Sequence, residues 1–236
     1  MMEAQKRFDM YTHQEAPEEI EEDELVERYL RLYGGTISDV LDGLGYFYQV
    51  LPKEMTGLTP DAKFCGTALT ATGEPTTDRD PDRIFVPILE MLGAVRKNNV
   101  VVTQPNEDTC SHLGELSATT IKARGGNGAV IYGGVRDVDY IHRLGLPVYK
   151  LYTTPRDVMG RWRLTAYNVP IRIGQTQINP MDIIFADKDG VIAIPREVAV
   201  KVLLKAEELE STENHVREEV LRGVHPVEAY QRHGWF

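Results

Sequence analysis

The stretch from Gly114 to Asp137, GELSATTIKARGGNGAVIYGGVRD, constrains the fold more than any other part of the chain. Leu116, Ala118, Thr119, Ile121 and Ala123 recur at a spacing that predicts a packed helix starting near Glu115. Gly125, Gly126 and Gly128 predict its end, because glycine accepts the positive φ that closes helices. Ala129-Val130-Ile131-Tyr132 is short, apolar and rich in β-formers, which predicts a central strand. Gly133-Gly134 then predicts a turn where backbone can approach a ligand, and Arg136-Asp137 follow. A helix and a returning strand would set Glu115 at a helix start and Arg136-Asp137 at a strand's C-terminal end. Both are places where ligands gather in α/β sheets.

The rest of the chain supplies elements of the same kinds. Leu25, Val26, Tyr29, Leu30 and Leu32 predict a helix ended by Gly34-Gly35, and a second helix capped by Thr36 or Ser38 runs to Gly45. Residues 46–62 read as loop, Phe64–Ala71 as strand, Thr76–Arg83 as polar loop and Ile84–Val95 as helix. Val100-Val101-Val102 is a buried strand, and Gln104–Leu113 is a loop leading to Glu115. Beyond Asp137 come a helix over Val138–Leu144, a strand over Val148–Leu151 and a loop over 152–164 carrying Arg156, Arg161 and Arg163. Strands follow at Asn168–Ile173 and Asp182–Ala186. Asp189-Gly190 predicts a hairpin with Val191–Ile194. A long helix over Glu197–Leu221 and a tail helix from Pro226 complete the order of an α/β layered domain.

With 236 residues and 42% hydrophobic content the chain can build one large domain or two small ones. A formal net charge of −10 disfavours a phosphate-backbone binder, which needs a basic stripe, so no nucleic-acid partner is expected. No apolar run approaches the about 20 residues that span a bilayer, and no signal peptide is visible, so no membrane partner is expected. Cys65 and Cys110 read as reduced thiols of a cytoplasmic protein.

Glu115, Arg136 and Asp137 form the leading chemical constellation. Two carboxylates and a guanidinium at one sheet edge would suit a hard divalent cation and an anionic ligand. The alternative is a salt bridge and a helix cap at an ordinary turn. His112, in the loop before Glu115, reads as either an acid/base or, the favoured reading, a solvated loop histidine. Arg156, Arg161 and Arg163 form either an anion-binding rim or pairs with acidic neighbours. The run Glu207-Glu208-Leu209-Glu210-Ser211-Thr212-Glu213 reads as a solvated helix face from which one glutamate could reach a neighbouring subunit.

Glu115-(x20)-Arg136-Asp137, with Gly114 before the glutamate and Gly133-Gly134 before the arginine, resembles the class II pyruvate aldolases. These are the 4-hydroxy-4-methyl-2-oxoglutarate aldolases, which share a fold with the RraA-like regulators of ribonuclease activity. Thr36–Gly45 (TISDVLDGLG) and Asp187–Pro195 (DKDGVIAIP) are similar too, and the likeness covers roughly residues 25–223. The resemblance implies an α/β fold, a layered αββα-type sandwich with mixed sheets. It implies a domain over 23–223 between an acidic arm at 1–22 and a tail helix at 224–236, and assembly into homotrimers or hexamers.

By the same resemblance Asp137 is a metal ligand, Glu115 reaches the metal through water, and Arg136 contacts the substrate and steadies an enolate. Gly114 and the amides of Leu116 and Ser117 hold the pyruvyl carboxylate. Glu213, or Glu210, approaches from the next subunit. The implied cofactor is Mg²⁺ or Mn²⁺. The implied reaction is retro-aldol cleavage of a 4-hydroxy-2-oxo acid to pyruvate, or decarboxylation of oxaloacetate. The other function the family implies is a non-catalytic regulator that binds a ribonuclease. Two departures stand out: some aldolases have aspartate in place of Glu115, and Pro180-Met181-Asp182 stands where the family often has Pro-Gly-Asp.

Overall fold

The structure is a computed structural model that describes residues 20–235. Most of the acidic arm expected over 1–22 lies outside the described residues. In chain order, helices α1 (Glu22–Tyr29) and α2 (Gly34–Gly43) precede strands β1 (Thr56–Gly57) and β2 (Phe64–Pro75). Helix α3 (Pro81–Gly93), strands β3 (Asn99–Gln104) and β4 (Ser111–Leu113), helix α4 (Glu115–Ala123) and strand β5 (Gly128–Val135) follow. Next come α5 (Val138–Leu144), β6 (Val148–Thr153), β7 (Trp162–Tyr167), β8 (Ile171–Ile173) and β9 (Thr176–Ile178). The chain ends with β10 (Ile183–Asp187), β11 (Gly190–Ile194), α6 (Ala199–Leu221) and α7 (Pro226–His233).

These elements form two compact units, Tyr48–Glu197 and the segments on either side of it. The Tyr48–Glu197 unit holds the α/β layers. Its nine-stranded mixed sheet runs β1-β6-β5-β3-β2-β10-β11, with β4 added to β5 and β7 added to β2. Strands β2, β3, β5 and β6 are parallel to one another, β1, β7 and β10 run antiparallel to them, and β11 pairs antiparallel to β10. Period-two alternation decides what each face touches. Leu69, Val101, Ala129, Ile131 and Val148 pack with Ile84 and Leu92 of α3, Ile121 of α4 and Ile141 of α5. Ala68, Val100, Val102, Val130 and Ile184 face the opposite way, onto Ile171, Ile173 and Ile178 of the small β8–β9 sheet. The expected α/β layered arrangement with mixed sheets is present.

In the helical unit, α1 is tied to α6 by the Arg28 fork on Glu207 at 2.6 and 2.8 Å and by the buried Tyr29 hydroxyl on Ala199 O at 2.6 Å. The 207–213 run is therefore not a uniformly solvated face. Gly34-Gly35 open α2 rather than end α1, and the N-cap is Tyr33 with no side-chain cap, so Thr36 lies inside the helix and is buried. A chain reversal at Leu30–Leu32 already closes α1, through Arg31 N–H on Arg28 O and Leu32 N–H on Tyr29 O.

Several other boundaries differ from the sequence reading. Helix α3 starts at Pro81, inside the expected polar loop, because Asp80 accepts the N–H groups of Asp82 and Arg83 and proline fits the first helical position. Strand β2 continues four residues beyond Ala71, where β7 takes up its free edge. Arg163 consequently sits on a strand opposite Glu74 and pairs with it. The predicted strand at Asn168–Ile173 is the first half of the β8–β9 hairpin. Met181, at the position where aldolases often carry glycine, has a φ of +71°. Asp182 stabilises that turn by accepting Asn179 N–H at 2.7 Å and Arg196 N–H at 3.0 Å.

Candidate active site

The glycines at 133 and 134 do not make a turn. They lie inside β5, which runs on to Val135. A Cβ on Gly134 would stand 2.4 Å from the Cys110 carbonyl oxygen and 2.5 Å from the Tyr152 ring. One on Gly133 would stand 2.5 Å from His112 Nδ1. Glycine is needed here for close approach of β4, not for positive φ. Strand β4 lay hidden in the expected 104–113 loop. It pairs parallel to β5 through Ser111 and Leu113, with an irregularity between them. His112 repairs the ladder at that break, where its Nδ1 accepts the Gly134 N–H at 3.2 Å.

His112 is thus not solvated. Its side chain is fully buried, edge-on to Trp162. Because Nδ1 accepts, the ring proton sits on Nε2 and is donated to Glu107 Oε2 at 3.1 Å. Burial pushes His112 down to about 4, against the pull of Glu107. Burial alone would raise the Glu107 carboxyl. The hydroxyl of Thr109, the thiol of Cys110 and the N–H groups of both outweigh it and hold Glu107 at about 2. Glu107, Cys110 and His112 place ligand-type atoms within 4.8 Å of one another. A cation at Nε2 would have to leave an imidazolate, since Nδ1 already accepts. The trio therefore acts as a bracket for β4.

This bracket predicts acid sensitivity. Between pH 6.5 and 4 the unfolded chain takes up a proton at His112 that the native state excludes, so stability falls as pH drops through that window. The expected loss from pH 7 to 4.5 is roughly 2–3 kcal/mol, read from urea unfolding at the two values. His112→Gln should remove most of that slope. A flat wild-type profile would mean that native His112 takes up the proton freely.

Strand β4 delivers the chain to the site. Arg136 N–H donates to Leu113 O at 2.9 Å, extending the ladder by one residue. Asp137 then adopts a left-handed conformation, φ 58° and ψ 37°, as the N-cap of α5. That conformation is uncommon away from glycine and is tolerated best by Asn and Asp. It turns the carboxylate back, and Asp137 Oδ2 accepts the Glu115 N–H at 3.0 Å. A Cβ at Gly114 would lie 2.8 Å from that oxygen and 3.0 Å from Arg136 Nε, so the position has no room for a side chain. As N-cap, Gly114 also leaves the N–H groups of Leu116 and Ser117 without a side-chain acceptor.

The structure therefore brings Gly114, Glu115, Leu116, Ser117, Arg136 and Asp137 together at one edge of the sheet. The Leu116 side chain, expected in the core, is 79% exposed beside them; Ala118 and Ile121 carry the packing of α4. Arg136 Nε lies 3.5 Å from Asp137 Oδ2, and Nη1 lies 3.2 Å from Asp157 Oδ1. A hollow of about 300 Å³ opens here, lined by Val135, Arg136, Asp137, Val138, Thr153, Thr154 and Pro155. Asp157 was not singled out from the sequence. Among the described residues, Asp137 Oδ1 and the Glu115 carboxylate accept no hydrogen bond. These all-oxygen donors match a hard divalent cation that keeps most of its waters.

Glu213 belongs to the helical unit. Its Oε1 accepts the Trp235 indole N–H at 3.1 Å, beside an apolar hollow of about 310 Å³. Of the three loop arginines, Arg163 pairs with Glu74, and Arg161 Nη1 donates to the carbonyls of Asp157 and Met159. No helix of the described residues is long and apolar enough to cross a membrane.

Known proteins share this fold. A solved structure described as "Crystal structure of novel cellulases from microbes associated with the gut ecosystem" superposes with a TM-score of 0.80. It is 30% identical, over 89% of this chain and 95% of that one. RraAS2 of Streptomyces coelicolor, described as an unusual member of the RNase ES inhibitor RraA protein family, has a TM-score of 0.74. It is 28% identical, over 85% of this chain and 99% of its own. A Halalkalibacterium halodurans protein named "Putative 4-hydroxy-4-methyl-2-oxoglutarate aldolase" is 27% identical over 82% of this chain and 87% of its own. Protein DlpA of Legionella pneumophila is 29% identical over 84% of this chain but only 32% of DlpA. The chain thus spans about a third of DlpA and about half of further curated relatives. The family model described as RraA-like, Aldolase/RraA matches residues 35–193, well over half of the sequence, and the chain belongs to that family.

Proposed function

We propose that this chain is a divalent-metal-dependent carbon–carbon lyase that releases pyruvate from a 4-hydroxy-2-oxo acid or from oxaloacetate. The observation that carries the reading is the Glu115 N–H to Asp137 Oδ2 contact. It joins the Asp137 carboxylate, which lines the hollow beside the Arg136 guanidinium, to the N-terminus of α4. The relative named as an aldolase supports the same chemistry.

Asp137 would ligate Mg²⁺ or Mn²⁺ directly and Glu115 through water. The cation supplies Lewis-acid charge stabilisation to the oxo acid when bound. The N–H groups of Leu116 and Ser117 would hold the substrate carboxylate at the positive end of α4. Arg136 would aim its planar fork at the oxygen on which enolate charge develops, a preorganised electrostatic role. Glu115, or Glu213 of a neighbouring copy, would orient the water that takes the C4 hydroxyl proton. The Glu213 role requires a homotrimer or hexamer, and sedimentation as a monomer at micromolar concentration would remove it.

The test is pyruvate release from a panel of 4-hydroxy-2-oxo acids and oxaloacetate, with Mg²⁺ or Mn²⁺ and with EDTA. Cation-dependent release is expected; no release from any of them would overturn the reading. The likeness to RraAS2 favours one second reading, a ribonuclease-binding regulator. It predicts partner capture that survives substitution at Arg136.

A further inference from the structure

We infer that Asp157 is a positioning residue for Arg136, fixing the guanidinium so that one edge of its fork is presented to the substrate. This rests on the lyase reading and adds to it a residue on a different loop. Arg136 Nη1 lies 3.2 Å from Asp157 Oδ1, while Nε lies 3.5 Å from Asp137 Oδ2. The two carboxylates approach two different nitrogens, and among the described residues Nη2 has no partner. Asp157 itself does not line the hollow that Arg136 and Asp137 line. It acts through Arg136 rather than on the ligand.

The loop holds Asp157 in place. Arg161 Nη1 donates to Asp157 O at 3.0 Å and to Met159 O at 3.2 Å. Val158, the next residue, is buried, and its carbonyl accepts the N–H groups of Arg161 and Trp162. At the loop's other end, Thr154 N–H donates to Val135 O, and Ser111 N–H to Arg156 O. The loop is thus fastened to both β4 and β5; Arg136 directly follows β5 and donates its N–H to Leu113 of β4. An exposed salt bridge contributes little stability, because solvent screens it and both side chains must be ordered. Its value here is orientational. A mobile guanidinium still attracts an anion in the ground state, but it stabilises developing charge only when already aimed.

The test is Asp157→Asn, with Asp157→Glu as the conservative variant. In Asp157→Asn, kcat for pyruvate release should fall about tenfold while KM moves less than about threefold. Asp157→Glu should restore part of kcat. An independent arm follows ¹⁵N relaxation of the Arg136 Nε–H group, which needs no catalysis. It should be rigid in the wild type and mobile in Asp157→Asn. Wild-type kcat in Asp157→Asn, or a loss of rate accompanied by a lower melting midpoint and not rescued by glutamate, would overturn the inference. So would an Arg136 Nε–H equally rigid in both proteins. If the wild type itself releases no pyruvate, the lyase reading falls, and the relaxation arm alone decides whether Asp157 fixes Arg136.

Discussion

Arg136→Lys is expected to lower the rate of pyruvate release by roughly 10²-fold or more, the size expected when one preorganised oxyanion partner is lost. Lysine keeps the charge but not the fork. In this structure the fork already has two assigned contacts, Nε toward Asp137 and Nη1 toward Asp157. An ammonium has three donors on one nitrogen but no planar fork, so it does not hold both carboxylates at the separate positions of Nε and Nη1 while aiming a third donor at the substrate. Because the arginine would also touch the ground-state acid, KM should rise together with the fall in kcat. The check is steady-state kinetics beside a ribonuclease pull-down. A regulator would show no kinetic pattern and would respond to charge reversal on the acidic helix. Glu208 is the residue for that control. Glu207 is engaged by Arg28 at 2.6 and 2.8 Å, so reversing it would disturb the helical unit itself. If Arg136→Lys is kinetically silent while Glu208→Lys abolishes ribonuclease capture, the regulator reading replaces the lyase.

Asp137→Asn is expected to remove nearly all cation-stimulated activity, about 10²-fold or more, with fold and assembly intact. Asparagine is the informative substitution. It tolerates the left-handed conformation at φ 58°, and its amide oxygen can still accept the Glu115 N–H. Only the negative charge and one strong metal-binding oxygen are lost. Asp137 is 41% exposed, so little packing depends on it. Circular dichroism and light scattering should match the wild type, while activity no longer responds to Mg²⁺ or Mn²⁺. Full activity in Asp137→Asn, or in wild type with EDTA, would remove the metal from the mechanism.

Much of this was legible along the chain, and the rest divides by a single physical rule. Local features fixed what depends only on a residue and its near neighbours. Helix α5 runs over Val138–Leu144 as read, closed by Gly145 at φ +69°. The Asp189-Gly190 hairpin joins β10 to β11 as expected. Glu115 does begin a helix, and Arg136-Asp137 do follow a strand. The spacing of those elements allowed both ends to meet at one edge of the sheet, and the Glu115 N–H does reach Asp137 Oδ2.

What depends on a partner far away in sequence was not legible. Gly125 and Gly134 look alike in the sequence. One is a helix stop at φ +84°, and the other is a strand residue whose missing Cβ makes room for a carbonyl 24 positions earlier. His112 has the polar neighbours of a surface loop, yet the Gly134 N–H and Glu107 bury it and set its proton. Asp157 carries no motif, and its pairing with Arg136 exists only once Val158 and Arg161 have folded the loop between β6 and β7. Sequence periodicity reports which face of an element is apolar. It carries no information about which backbone will lie against that face, and close approach, buried proton placement and ion pairing across loops are decided by that second backbone.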